Sequence, residues 1–399
     1  MIPHYRIIEL FFYCLFILSP SLFFFRISSS YSLGTVISLF ILAPLIIYKN
    51  PKIKLSHIFS LAVVLGLLCL SLIISAANDH LSMPFKALFG LIFVGLLILV
   101  SMSFPSLIET LDSRRFEKII RNVFTFYLIS LLVFSLTPPD LTFAFFGWIR
   151  PVFPFSETSH FAIAFAPVLL FTLLRCSAHS RLALAILLML CQVINPNLTL
   201  FAICLYVFAL SFSLKTSFII LTSAATGILF ALFSMPPYFL ERLNLYSSNN
   251  LSALVFRQGW DLVFAGMTGQ PPGLLGFQQL QGEHLEFISS DRIRFLRDGL
   301  NLNEYDGGFI AAKIFAELGI LGWPIVLLFV FVFFRSFVSI VRASRSGLRN
   351  ADPLSLFLIC CSASYIFELF ARGVGYFSIG TFLFLISVLS WKKLDKVPQ

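Results

Sequence analysis

The sequence predicts an all-α polytopic integral membrane protein with about twelve transmembrane helices. Composition supports this class, because 58% of the 399 residues are hydrophobic, only 12% are charged, and the mean hydropathy is +0.94. Soluble domains carry roughly 25% charged residues, so a soluble globular fold is excluded. The apolar pattern supports it too, since runs long enough to cross roughly 30 Å of hydrocarbon recur along the whole chain.

The first apolar run follows the basic residue Arg6. It is too long for a signal-peptide core and lacks a small-residue cleavage site, so we expect a retained helix. The two runs that flank Asn195-Pro196-Asn197 are short, which is compatible with tilted helices or with a re-entrant hairpin. The predicted spans are 7–25, 31–48, 56–76, 87–104, 122–137, 159–174, 182–195, 197–213, 216–235, 308–334, 354–371 and 374–391.

Lys and Arg residues orient these helices. Placing the N-terminus in the cytoplasm puts 18 of the 28 basic residues in cytoplasmic segments, as the positive-inside rule expects. Both termini are therefore predicted to be cytoplasmic, and the net charge of +9 is explained without nucleic acid. We expect residues 1–399 to form a single membrane domain. Its outward-facing polar segments are a long loop at 236–307, a smaller loop at 138–158 and a short turn at 372–375.

Several classes of site find no signature in this sequence. It contains no Gly-rich phosphate loop and no dinucleotide-binding fingerprint. The seven cysteines all fall in predicted helices or on the inner face, so neither a disulfide framework nor a metal spacing is implied. We expect no cofactor and a substrate that is already in the membrane or outside it.

The long loop carries arginines on the face where the positive-inside rule predicts few. It contains five arginines against eight carboxylates, so it is not a basic patch. Arg257 and Trp260 lie three residues apart, which fits an interfacial helix with a snorkelling arginine or a bidentate clamp on phosphate oxygens. Most of the later arginines are expected to form solvated ion pairs, leaving one for a ligand. The five are Arg242, Arg257, Arg292, Arg294 and Arg297.

The smaller loop brings together Arg150, Glu157 and His160. The simplest interpretation is a helix start, with Ser156 as the cap and Glu157 complementing the helix dipole. The functional interpretation is that a carboxylate and an imidazole three residues apart share a proton.

Charged residues also lie at the ends of the last predicted helices. Asp306 is expected either to cap the helix that follows the long loop or to act in chemistry. Lys313 and Glu317 are four residues apart and are expected to pair, because an unpaired charge in hydrocarbon is costly. Glu368 and Arg372 have the same spacing and predict a second pair, structural or functional.

Five short segments between about residues 145 and 380 resemble, in their order and topology, the bacterial polysaccharide repeat-unit polymerases. These Wzy-type O-antigen and exopolysaccharide polymerases share an architecture with the O-antigen ligases. The segments are Ser156-Glu-Thr-Ser-His160-Phe-Ala, Asn250-Leu-Ser with Arg257-Gln-Gly-Trp260, Leu275-Gly-Phe-Gln-Gln, Asp306-Gly-Gly-Phe with Glu317-Leu-Gly-Ile-Leu-Gly, and Arg372-Gly-Val-Gly-Tyr376-Phe.

The resemblance implies a metal-independent glycosyltransferase of the bacterial inner membrane. It would polymerise undecaprenyl-diphosphate-linked oligosaccharide repeat units at the periplasmic face, so that both polar loops are periplasmic. Membrane lipid, a chain-length regulator protein and a flippase are the implied partners, and nucleic acid is not. The alternatives are an O-antigen ligase and a flippase-type transporter of polysaccharide or lipid-linked glycans. Related ligases commonly have a His where this chain has Asp306, which favours the polymerase. Transporters concentrate polar breaks at the bilayer midplane, whereas here the polar residues lie in loops.

The resemblance also implies roles for particular residues. Arg257 is expected to bind the donor diphosphate together with one of Arg150, Arg292 and Arg297. The catalytic candidates are Glu157, Asp306 and His160, with Glu157 or Asp306 as the general base. Residues expected to position the acceptor are Trp260, Arg372, Tyr376 and, beside its catalytic candidacy, His160.

Overall fold

The structure is a computed structural model, and every regular element it describes is helical, apart from one isolated bridge between Val152 and Phe155. The all-α class is therefore confirmed for the described part of the chain. The described residues are 4–25, 27, 31–49, 55–108, 111–146, 151–212, 216, 249–270, 273–282, 285–296, 307–346 and 351–390.

The first helix continues through a π-helical turn, Cys14–Leu18, into the second. Two 3-10 turns, Leu280–Gly282 and Gly319–Gly322, occur later in the chain. The helices are α1 (His4–Tyr13), α2 (Ser19–Phe24), α3 (Tyr31–Lys49), α4 (Leu55–Ala77), α5 (Pro84–Ile108), α6 (Ser113–Leu136), α7 (Pro139–Phe146), α8 (Thr158–Arg175), α9 (Ala178–Ile194), α10 (Leu198–Ser211), α11 (Leu251–Thr268), α12 (Ile288–Leu296), α13 (Ile310–Leu318), α14 (Trp323–Ser346), α15 (Pro353–Ser364), α16 (Ile366–Phe370) and α17 (Ile379–Leu389).

The chain is a multi-pass membrane protein. Within the described ranges, seven helical stretches are long and apolar enough to cross a bilayer, and four shorter apolar helices accompany them. These helices coincide with predicted spans, whereas the predicted span 216–235 lies outside the described residues except for residue 216. The total of about twelve spans stays a prediction.

Helix α8 and the stretch Pro353–Phe370, which comprises α15 and α16, form the centre of the bundle, because 78% of each of these two apolar spans is buried. Helix α4 lies at the periphery, with only 17% of its span buried. Its large apolar side chains, such as Phe59 and Ile73, are exposed and are suited to contact lipid. The two central spans therefore have the most protein around them among the seven candidate spans of the described residues.

One end of the bundle, which we call the Arg175 end, gathers segments rich in Lys and Arg. The Arg175 guanidinium pairs with Glu117 at 2.6 Å and donates to the Ala351 carbonyl at 3.0 Å. Arg181 donates to the Ser211 carbonyl. These contacts join α8 to α6 and to the residues before α15, and they join α9 to the end of α10.

The opposite end, which we call the Arg372 end, gathers the other polar loops. The Ser32 hydroxyl donates to the Val374 carbonyl at 2.7 Å. The Gln279 side chain bonds the Met83 backbone through both its oxygen and its nitrogen. The described part of the long polar segment therefore packs against the loop that precedes α5, and the turn at 372–375 packs against the start of α3.

The predicted span 308–334 is two helices rather than one. Helix α13 ends at Gly319, whose φ of +52° is unfavourable for residues with a side chain, and α14 begins at Trp323. A Cβ at Gly319 would lie 2.7 Å from Leu274 Cγ, and the Leu275 N–H donates to the Ala316 carbonyl. The loop at 273–276 thus packs against the break and keeps α13 at the Arg372 end.

Candidate functional site

An ion pair joins two loops at the Arg372 end. Helix α16 ends at Phe370, so Arg372 leaves the helical path, and its guanidinium lies 3.1 Å from Glu157 Oε2. The two side chains are separated by more than 200 positions and meet because α8 and α15 are neighbours. The Arg372 side chain is 22% exposed, and its Nε is buried with no hydrogen-bond partner among the described residues. A guanidinium has five N–H donors, so Arg372 has donors left for a ligand.

Ser159 and His160 complete this group, which we call the Glu157 cluster. The Ser159 hydroxyl donates to Glu157 Oε2 at 3.1 Å, and His160 Nε2 lies 3.8 Å from the same oxygen. The His160 ring packs near the Tyr31 ring, with 5.6 Å between centroids, and its side chain is only 12% exposed. The predicted proximity of Glu157 and His160 is therefore present in the structure.

The cluster keeps Glu157 ionised. His160 is the largest cause that lowers the pKa of this carboxyl to about 2, Arg372 and Ser159 add to it, and burial opposes them. A general base works best when its pKa is near the working pH. Glu157 is therefore better suited to orienting His160 and Arg372 than to taking a proton itself.

This pKa shift predicts a pH-dependent effect of Glu157→Gln. A lowered pKa means that Glu157 stabilises the fold above its ordinary pKa of 4.5 and loses that contribution as the pH falls towards about 2. At pH 7 the variant should lose about 1 kcal/mol, since the side chain is 45% exposed and partly screened. Thermal unfolding in detergent between pH 7 and pH 3 should show the stability difference between the variant and the wild type becoming smaller as the pH falls. Glu286→Gln, at an exposed carboxylate, is the control, and a stability difference independent of pH would contradict the assignment.

A second polar contact lies beside the first. The Tyr376 hydroxyl donates to Glu317 Oε2 at 2.9 Å, and the Gln278 N–H also donates to this carboxylate. Burial first, and the Glu317 carboxylate second, raise the pKa of the Tyr376 phenol above its ordinary value, so it remains a donor. The expected Lys313–Glu317 ion pair is absent from the described residues, because tertiary contacts occupy the carboxylate.

The expected Glu368–Arg372 pair is also absent, because the helix ends between the two residues. Glu368 is 1% exposed and accepts a hydrogen bond from the Ser378 hydroxyl at 2.5 Å. The Gly380 N–H donates to it as well. Glu368 therefore joins the start of α17 to α16, and Arg372 is available to Glu157.

The turn that carries Arg372 rests on the start of α13. The Gly373 N–H donates to the Gly308 carbonyl at 2.8 Å, and a Cβ at Gly373 would lie 2.8 Å from the Phe309 Cα. A Cβ at Gly308 would lie 2.6 Å from the Val255 carbonyl oxygen of α11. These glycines permit close backbone contact, which places α11, α13 and the Arg372 turn side by side.

Of the remaining predicted site residues, Trp260, Arg257 and Arg292 lie within the described residues. Trp260 packs its ring against Phe309 and Phe370, with centroids 5.3 and 6.2 Å apart, so it supports the Arg372 turn from α11. Arg257 is half-buried one turn earlier on α11. Arg292 is exposed on α12, bonds Asn249 and lies over the Phe295 ring. Those outside the described residues are Arg150, Arg297 and Asp306.

Two lysines, Lys86 and Lys313, lie in this region and were not predicted as site residues. Lys86 Nζ donates to the Gln281 side chain at 2.6 Å. The sequence contains a signal for both lysines, because each is a charged residue inside or at the end of an apolar run. Such residues are candidates for a functional role in a membrane protein.

The described ranges show no candidate metal site. They contain no group of three or more His, Cys, Asp and Glu side chains that could hold an ion. The seven cysteines form no disulfide, and five of them are buried.

No family model, curated protein or solved structure matches this chain. The Glu157 cluster, at the end of the two most buried apolar spans, is the part of the molecule whose chemistry points to a function.

Proposed function

We propose that this chain is a glycosyltransferase of the bacterial inner membrane that polymerises undecaprenyl-diphosphate-linked oligosaccharide repeat units at the periplasmic face. The Glu157 cluster carries the proposal, because it combines a guanidinium with spare donors, an imidazole and an ionised carboxylate. Its position at the same end as the described part of segment 236–307 also supports it. A lipid diphosphate is presented at the membrane surface, where this cluster would meet it.

The proposed reaction needs two functions from the protein. An acceptor hydroxyl attacks the anomeric carbon of the donor, a new C–O glycosidic bond forms, and the bond from that carbon to the diphosphate breaks. Arg372 stabilises the negative charge that develops on the leaving diphosphate, together with Arg257. The acceptor proton goes to His160, which Glu157 orients and stabilises as imidazolium, with Asp306 as the other candidate base.

The proposed topology has about twelve transmembrane helices, both termini in the cytoplasm and the Arg372 end in the periplasm. The positive-inside rule supports it, since the Arg175 end carries the Lys-rich and Arg-rich segments. Alkaline phosphatase, which is active only in the periplasm, is expected to be active when fused within 249–296 and inactive when fused after residue 399. Activity of the C-terminal fusion would contradict the orientation.

Deletion of the gene separates the polymerase from its alternatives. For a polymerase, single repeat units should still be attached to the lipid core while long chains disappear. A ligase deletion would leave the core uncapped, with lipid-linked polymer accumulating. A flippase deletion would keep repeat units on the cytoplasmic side. Gel analysis of surface polysaccharide, together with extraction of lipid-linked glycans, identifies which of these occurs.

Arg257→Ala is expected to reduce high-molecular-weight polysaccharide by roughly tenfold to a hundredfold, because a charge-assisted contact to diphosphate is lost. Arg257→Lys should also be poor, since an ammonium cannot form the bidentate fork. The matched control is Thr268→Ala on the same helix, whose hydroxyl bonds only carbonyls of that helix. Polysaccharide of wild-type length in both Arg257 variants, at normal protein level, would exclude Arg257 as a clamp on the diphosphate.

A further inference from the structure

Two glycines with left-handed backbone converge on Lys313. Gly307 has φ +66°, and a Cβ there would lie 2.7 Å from Lys313 Cγ. Gly375 has φ +95°, and a Cβ there would lie 3.8 Å from Lys313 Nζ and 2.9 Å from Ser32 Oγ. One glycine belongs to the segment before α13 and the other to the Arg372 turn. The lysine side chain therefore occupies space that both loops leave open.

Among the described residues around Lys313, ammonium groups outnumber carboxylates. Lys313 Nζ makes no hydrogen bond or ion pair within the described part of the chain, and the Glu317 carboxylate, one helical turn later, is bonded by Tyr376 and Gln278. Lys86 is close enough to interact electrostatically with both Lys313 and Glu317, and its ammonium contacts only the neutral Gln281 amide among described groups. Within the described ranges, two ammonium groups thus lie near one carboxylate, in a partly buried setting where excess charge is costly.

We infer that Lys313 and Lys86 form a second anion site, which binds the diphosphate of the acceptor lipid. This inference rests on the proposed function, because a polymerase must hold two lipid diphosphates at once. The Glu157 cluster provides for the donor diphosphate, which leaves. The acceptor diphosphate stays attached to its sugar and needs binding without activation, which suits ammonium groups that act as point charges.

The Arg372 turn separates the two sites. Residues 372–376 run from the Glu157 cluster to the Tyr376–Glu317 contact, with Gly375 beside Lys313. Two diphosphates on opposite sides of this turn would remain apart while the sugars they carry meet. The arrangement also makes the lysines distinguishable from Arg372 by experiment.

The binding test uses the full-length protein in nanodiscs and undecaprenyl diphosphate as the probe. We expect two diphosphate lipids per wild-type chain, one for the Lys86→Gln/Lys313→Gln variant and one for Arg372→Gln. Lys118→Gln, at an exposed lysine near the Arg175 end, should retain two, and Lys313→Arg should weaken binding less than Lys313→Gln. One lipid in the wild type, or two in the lysine double variant, would overturn the second site.

A transfer assay identifies which lipid the lysines hold. With a diphosphate-linked acceptor, Lys313→Gln should lower transfer by about tenfold or more, the loss of one charge-assisted contact. With a neutral glycoside of the same repeat unit as acceptor, the variant should match the wild type. An equal defect with both acceptors would show that the lysines do not recognise the acceptor diphosphate. No transfer by the wild type would instead reject the proposed function, independently of the binding stoichiometry.

Discussion

Arg372→Ala should eliminate long-chain polysaccharide and leave single repeat units on the lipid core. Removing one donor that stabilises developing negative charge costs about 10²–10³ in rate. The variant also leaves the ionised Glu157 without its guanidinium partner, at 3.1 Å in the wild type. Surface polysaccharide on gels, with membrane protein level measured in parallel, checks the prediction. Arg372→Lys should remain strongly impaired, because the planar fork is lost.

The control for this prediction is Arg294→Ala. Arg294 lies on α12, where it pairs with the exposed Asp291 at 2.6 Å and donates to the Leu285 carbonyl at 3.1 Å, so Arg294→Ala removes the same charge together with an ion pair and a hydrogen bond. This variant should produce surface polysaccharide of wild-type length. If Arg372→Ala also did so at normal protein level, the Glu157 cluster would not be the transfer site.

A double variant tests whether Arg372 and Glu157 act as a unit. Residues in one ion-pair network give non-additive effects, whereas distant, independent sites add. Glu157→Gln combined with Arg372→Ala should therefore be hardly worse than Arg372→Ala alone. Multiplied defects would indicate that the two side chains serve separate steps.

Gly380→Ala is expected to destabilise the protein strongly. A Cβ at Gly380 would overlap Glu368 Oε1 and lie 2.6 Å from the Glu368 Cδ. The carboxylate cannot retreat easily, because it is buried and bonded to Ser378. Overpacking of this kind costs about 1–3 kcal/mol, and moving the carboxylate would also break its hydrogen bonds. We expect a lower unfolding temperature in detergent and a lower protein level in membranes.

Matched controls isolate the steric cause of that loss. A Cβ at Gly66 or Gly95 would meet no atom within 4 Å, and alanine favours a helix over glycine by roughly 1 kcal/mol. Gly66→Ala and Gly95→Ala should therefore be neutral or stabilising. Adding Glu368→Ala to Gly380→Ala should recover part of the loss, since it removes the overlapping atoms. A fully stable Gly380→Ala variant would contradict the close contact.

Local spacing predicted some charged contacts correctly and others wrongly. Glu157 and His160, three residues apart at the start of α8, lie 3.8 Å from each other as expected. The same kind of argument failed for Glu368 and Arg372, because α16 ends at Phe370 and the expected helical geometry does not exist there. It failed for Lys313 and Glu317 because hydrogen-bond donors from the distant residues Tyr376 and Gln278 occupy the carboxylate.

By itself, the sequence determined the class of this protein and the course of its helices. Long apolar runs have few structures available in lipid, since every backbone polar group must be satisfied within the helix. The partners of the charged residues depended on tertiary structure, because contacts such as Glu157–Arg372 join positions far apart in the chain. Those contacts follow from how α8, α13 and α15 pack and from where glycines allow backbones to approach, neither of which is a property of local sequence.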